Sequence, residues 1–173
     1  MACTSDITQN IGRECKSNTS GAKTLYVFNY LEDPFTVSSS EVTAINADLT
    51  TVFEYELEGD GNTLVEDLVS DRNTGTTVNT QTTTIVLKKM TANKTAQFNL
   101  LAKGYPMAVL KDRNGVYHAV GIDDGIDFTV NGATGGAKTD LNGFTLTGVS
   151  TTSELSPKLD SATITAFLAL VSA

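Results

Sequence analysis

The sequence predicts a mainly β protein: an antiparallel sandwich or barrel with one flanking helix at about residues 91–103. Threonine supplies 27 of the 173 residues, and its β-branched side chain suits a half-buried pleat. Apolar and polar residues alternate with period two along several short runs, the mark of strands with one buried face. With 14 Gly and only 3 Pro, strands can be long and turns tight. Hydrophobic residues make up 40% of the chain, enough to exclude a disordered polymer.

The elements follow in order. Residues 1–22 are polar, with Ile11 as an isolated apolar position, and read as an arm that orders on assembly. Residues 23–173 form a single β domain. Leu25–Leu31 is apolar on both faces and predicts a central strand, ended by Asp33-Pro34. In Thr51–Glu58, Phe53, Tyr55 and Leu57 alternate with Glu54, Glu56 and Glu58, so burial of the first set leaves three acids on one wet face. Gly59-Asp60-Gly61-Asn62 marks a turn. Leu64–Val69 fits a strand or a helical turn.

Thr76, Val78, Thr80, Thr82 and Thr84 belong to a run, Thr76–Thr84, that is polar on both faces and lacks Pro and Lys. It predicts a self-pairing strand on a loop or hairpin projecting over about 59–84. Thr91 caps the helix, Gly104 ends it, and Thr95, Phe98, Leu101, Ala102 and Tyr105 form its buried stripe. Met107–Leu110 and Val116–Ile122 are strands joined at Asn114-Gly115, a hairpin signal. Ile126–Val130 and Gly143–Val149 follow, and Ser161–Leu170 alternates as a last strand, with helix the alternative.

Net charge is −8 and the calculated pI about 4.5. No basic patch of nucleic-acid-binding size is present. The N-terminus has neither the basic nor the apolar region of a secretion signal. The longest apolar run, Ala166–Val171, is too short to span a membrane. A soluble protein made in a cytoplasm is expected, where the sequons at Asn18 and Asn93 have no significance. Cys3 and Cys15 are expected as reduced thiols, a loop-closing disulfide being the alternative.

Catalytic chemistry lacks its parts. Glu54, Glu56 and Glu58 have no partner acid, base or metal-ligating His. They read as a solvated face or as an acidic stripe that meets a neighbour or lines a channel. Asp123-Asp124-Gly125-Ile126-Asp127 lacks the spacing of a calcium loop and reads as a turn. His118 sits mid-strand with no nucleophile motif near it. Zinc would need more ligands than Cys3, Cys15 and His118 supply. Gly132–Gly136 lacks the helix and Lys-Ser/Thr pair of a phosphate loop. The sequence therefore predicts no enzyme, no cofactor and no metal, and favours a structural assembly protein.

The opening Ala2-Cys3-Thr4, Gly12-Arg13-Glu14-Cys15-Lys16, Gly21-Ala22-Lys23 and Tyr26-Val27-Phe28-Asn29-Tyr30 resembles the major tail tube proteins of long-tailed bacteriophages. The distal Leu141-Asn142-Gly143-Phe144-Thr145-Leu146-Thr147-Gly148 and Ser156-Pro157-Lys158-Leu159 fit the same resemblance. It implies a sandwich or barrel with one helix, similar in fold to the type VI secretion ring protein. It further implies hexameric rings that stack into a tube, with copies of the chain and other tail proteins as partners. DNA would pass through without specific binding, no membrane would be involved, and the location would be the virion tail. Another non-enzymatic virion protein (head decoration or head–tail joining) and a surface ligand-binding β-domain are the alternatives.

Overall fold

The computed structural model describes residues 7–172. In chain order the elements are β1 (Ala22–Phe28), β2 (Phe35–Ser38), β3 (Glu41–Ile45), β4 (Phe53–Glu56), β5 (Thr63–Asp71) and β6 (Thr76–Lys88). Then come α1 (Ala92–Leu101), β7 (Met107–Asp112), β8 (Tyr117–Val120), β9 (Asp127–Ala133), β10 (Gly143–Thr152), β11 (Lys158–Leu159) and α2 (Ser161–Leu168). The protein is mainly β, 44% strand, in two mostly antiparallel sheets with two short helices. One sheet has seven strands, ordered β2-β3-β11-β8-β7-β1-β4, and the other four, ordered β5-β6-β10-β9.

β1 is central, as its two apolar faces require. It pairs with β4 on one side and β7 on the other. Leu25 and Val27 enter a core shared with Ile85, Phe128, Phe144 and Leu146 of the four-stranded sheet. Tyr26 and Phe28 point the other way, into a second core with Phe35, Val42, Val109, Tyr117 and Phe167. The seven-stranded sheet is thus apolar on both faces, one covered by the second sheet and the other by α2.

Helix α1 begins where expected: the Thr91 hydroxyl accepts the Lys94 N–H at 3.3 Å. Its buried stripe is narrower than predicted. Phe98 and Leu101 are buried, whereas Thr95, Ala102 and Tyr105 are exposed. The Asp112–Gly115 turn forms as predicted, with Asp112 Oδ1 accepting from the Asn114 and Val116 amides at 2.8 Å each.

Two expectations are corrected. Ser161–Leu168 is a helix rather than a strand, so the sandwich carries two helices. Asp160 caps it, accepting the Thr163 N–H at 2.6 Å, and Thr163 and Phe167, one helical turn apart, are its buried residues. A strand would have placed Thr165 on the same face between them, but Thr165 is exposed. The second correction concerns Thr76–Thr84. This segment is the inner part of β6, paired with β5 from Thr63↔Thr84 to Asp71↔Thr76 and with β10 from Asn79↔Thr152 to Gly143↔Lys88. From Asn79 to Thr84 it is not an open edge, and a proline at Thr82 would interrupt a strand paired on both sides.

The projection survives in a shorter form. β10 stops at Thr152, opposite Asn79, so the rungs Val69↔Val78, Ser70↔Thr77 and Asp71↔Thr76 extend past it. This tip exposes Leu68, Val69 and Val78. Residues 7–20 carry no regular secondary structure and are exposed throughout. Thr19 is tied to Asn114 by reciprocal 2.9 Å hydrogen bonds. Cys3 lies outside the described residues, and Cys15 is a free, exposed thiol.

Candidate assembly faces

Period two sorts the four-stranded sheet into an inner and an outer face. Asn79, Gln81, Thr83 and Ile85 of β6 are buried, as are Phe144, Leu146, Gly148, Ser150 and Thr152 of β10. The intervening residues form an outer face of four cross-strand rows. These are Asp67-Thr80-Thr151, Val65-Thr82-Val149-Asp127, Thr63-Thr84-Thr147-Thr129 and Val86-Thr145-Asn131. More than half of these positions are threonine. Asp67 and Asp127 are the only charged ones in these rows; the next row, Lys88-Gly143-Ala133, puts Lys88 at the edge of the same face, paired with Glu58 at 3.2 Å. Solvent-facing sheets ordinarily carry charges of both signs; this one presents hydroxyls and methyls.

Of the predicted self-pairing residues, Thr80, Thr82 and Thr84 lie on this outer face, while Thr76 and Val78 lie at the exposed hairpin tip. Their backbone is already paired within the chain. The free backbone edges of this sheet are instead β5 and β9.

The acidic row is divided. Glu54 and Glu56 sit exposed on β4, an outer strand of the seven-stranded sheet, away from the threonine face. Glu58 lies beyond the strand, 3.2 Å from the Lys88 ammonium, as its repulsion from the other acids favours. Phe53 is exposed rather than buried, Tyr55 is half-buried against Phe98, and Leu57 is buried. The aromatic half of the alternation is therefore only partly inward, because β4 is an outer strand and Phe53 overhangs the end of the core.

A polar cluster fixes the base of the hairpin. Glu66 Oε1 accepts from Asn79 Nδ2 (3.2 Å), Gln81 Nε2 (3.1 Å) and the Ser156 amide (2.7 Å), and Oε2 accepts from Ser156 Oγ (2.8 Å). Gln81 Oε1 accepts from the Gly121 amide and Ser150 Oγ, each at 2.9 Å. Burial alone would raise the Glu66 pKa, but the donors from Ser156, Gln81 and Asn79 hold it below the usual carboxylate range. His118 is pushed down by burial and by Lys158, against the opposing pull of Asp112. Its Nε2 lies 3.6 Å from Asp112 Oδ2.

Sequence reading missed this cluster, although Ile85 signalled it: Asn79, Gln81 and Thr83 share its parity and so its buried face. Both groups stabilise the fold in the same pH direction. Each contribution is complete above the unfolded-state pKa and is lost as pH falls through the lowered folded-state value. We expect urea stability to fall first below about pH 6.5 and again below about pH 4. Glu66→Gln should flatten the second fall, which pH-dependent unfolding of the two proteins measures.

Among the described residues, no group of three His, Cys, Asp or Glu side chains is arranged to hold a metal. Asp123-Asp124-Gly125 forms the expected turn, closed by Gly125 N–H to the Gly121 carbonyl at 3.0 Å. Asp123 Oδ2 accepts the Ser153 amide at 3.3 Å. No helix is long and apolar enough to cross a membrane. In comparisons with protein families, curated proteins and solved structures, nothing matches this chain.

Proposed function

We propose that this chain is a non-enzymatic structural subunit that assembles with its own copies into a closed β-walled ring or tube. The role is that of the tail tube proteins whose sequences it resembles. The observation that carries this reading is the threonine face of the four-stranded sheet, broad and paired in register, whose one cation, Lys88, lies in its end row and is paired with Glu58. A subunit that lines a hydrated channel needs such a wall. Hydroxyls keep it wet, and its four threonine rows hold no Lys or Arg to give a passing polyanion counterion release, the marginal Lys88 being paired with Glu58. Asp67 and Asp127 add repulsion at its margins.

The sheet's edges support the same reading. Its strands alternate in direction and are even in number, so β9 of one copy set beside β5 of the next continues the antiparallel order. Rotation of copies around an axis then closes the sheet and removes both edges. In this arrangement Glu54 and Glu56, carried on the other sheet, belong to contacts outside the lumen. Stacked hexamers in a phage tail, with DNA passing through, are the specific assembly proposed.

Negative-stain imaging of the purified protein at rising concentration tests the reading. Rings or tubes of uniform diameter are expected; monodisperse single subunits at every concentration would overturn it.

A further inference from the structure

We propose that copies of the chain stack head to tail through the two ends of the four-stranded sheet, the acidic hairpin tip of one seated on the basic end of the next. The inference rests on the assembly proposed above and names the surfaces by which its rings join.

The two ends differ in charge. Around the end that carries the β5–β6 tip lie Asp67, Asp71, Asp123, Asp124, Asp127 and Glu154, against Arg72 and Lys158. None of these six acids is in an ion pair among the described residues. At the other end β6 finishes at Lys88, with Lys89 beyond it. Lys94 Nζ donates to the Lys88 carbonyl at 2.6 Å. The Lys89 amide donates to the Asn142 carbonyl at 2.6 Å, which brings the exposed β9–β10 loop, with Lys138, to the same end.

Most acids at the basic end are already engaged. Glu58 pairs with Lys88 and Asp60 with Arg113. Asp140 accepts the Gly136 and Ala137 amides of its own loop at 2.9 and 2.7 Å. Glu56 is unpaired there, but so are Lys89, Lys94 and Lys138 among the described residues. Both ends also expose apolar side chains. Val69 and Val78 at the tip are 64% and 43% exposed, and Met90 at the basic end 37%. Contact between the ends covers both sets.

Geometry selects a second copy. Thr76 and Lys88 bound one continuous strand of 13 residues, so the two ends lie about 40 Å apart. The hairpin is paired to its last rung, Asp71↔Thr76, and so cannot fold back on its own sheet. Charge then selects the manner of contact. Tip against tip sets acid against acid, and the two basic ends together set lysine against lysine. Head to tail sets opposites together. Such a contact does not close on itself and extends into a column.

Exposed charges are screened by salt, within about 10 Å at 0.1 M. Ring closure by backbone pairing of β5 and β9 has no such dependence. The experiment therefore follows the full-length protein by negative-stain imaging and light scattering from about 0.05 M to about 0.5 M NaCl. Long stacks are expected at low salt and single rings at high salt, with stacking affinity falling at least about tenfold. Lys89→Glu/Lys138→Glu and Asp67→Lys/Asp71→Lys, all at exposed positions, should each give single rings at low salt. One chain carrying all four changes should stack again. The salt series uses the unmodified chain, so misfolding of a variant does not spoil the test.

Stacks indifferent to salt, or to either pair of substitutions, would overturn the proposal and leave the ring reading standing. Columns of single copies without rings would do the reverse. Loss of stacking on deletion of residues 1–17, with Lys89→Glu/Lys138→Glu stacking normally, would make Arg13 and Lys16 of the arm the partner of the acidic tip and would also overturn it.

Discussion

Replacing Phe167 with Ala should destabilise the protein by about 3–5 kcal/mol, the cost of emptying a large buried aromatic site. Phe167 is fully buried at the centre of the second core. Its ring meets Tyr26 edge-on at a centroid distance of 5.7 Å, Phe35 at 6.2 Å and Phe28 at 6.3 Å. It is the plug by which α2 covers the open face of the seven-stranded sheet. Truncation uncouples the helix from β1 and β2 together, so the cavity cannot close by moving one side chain. For a chain of this size the loss corresponds to a fall in Tm on the order of 10 °C. Phe167→Leu, which keeps most of the volume, should recover more than half of it. Thermal unfolding followed by circular dichroism checks both. A change below about 1 kcal/mol for the alanine variant would mean that α2 does not seal this core.

Gln81→Leu should cost about 2–4 kcal/mol although the side chains are similar in size. The loss is polar: Gln81 is 1% exposed and serves three partners at once. Its amide donates to Glu66 and its carbonyl receives the Gly121 amide and the Ser150 hydroxyl. Leucine leaves the Gly121 N–H unpaired and takes a donor from a partly buried carboxylate. Each buried orphan costs about 1–3 kcal/mol. Gly121 sits at φ +67° in a place where any Cβ would run into Ile126, so the turn it makes depends on glycine. The double change Gln81→Leu/Glu66→Gln should cost less than the sum of the two single changes, since both act on one network. Urea denaturation of the three variants measures the coupling.

The parts of this fold written locally were legible in the sequence. β1 declares itself central because Tyr26 and Phe28 are as apolar as Leu25 and Val27. The Thr91 cap and the Asn114-Gly115 turn depend on residues a few positions apart. What depended on distant partners was not legible. β11 is two residues long and exists as a strand because β3 and β8 flank it. β6 looks polar on both faces, and only the parity set by Ile85 shows that Asn79, Gln81 and Thr83 point inward. Burial of Asn79 and Gln81 is tolerable because Glu66, Ser150, Thr152 and Glu154 arrive from elsewhere to pair with them, whereas the Thr83 hydroxyl is buried with no partner among the described residues. The final segment alternates like a strand, and the helix prevails because Asp160 caps its first turn and Phe167 has a core to fill.

The same division holds for the candidate assembly surfaces. The acids of β4 and the absence of catalytic parts could be read directly. The threonine face could not, since its rows are drawn from four strands spread over residues 63–151 and appear only when those strands pair in register.

The most direct test of the central claim is a cryo-EM reconstruction of the assembled protein at a resolution that traces strands. The four-stranded sheets are expected to line the inner wall, with Thr80, Thr82, Thr84, Thr145 and Thr147 facing the lumen and β9 of each copy beside β5 of the next. An assembly whose lumen is lined by the seven-stranded sheet, or in which β5 and β9 remain unpaired, would contradict it.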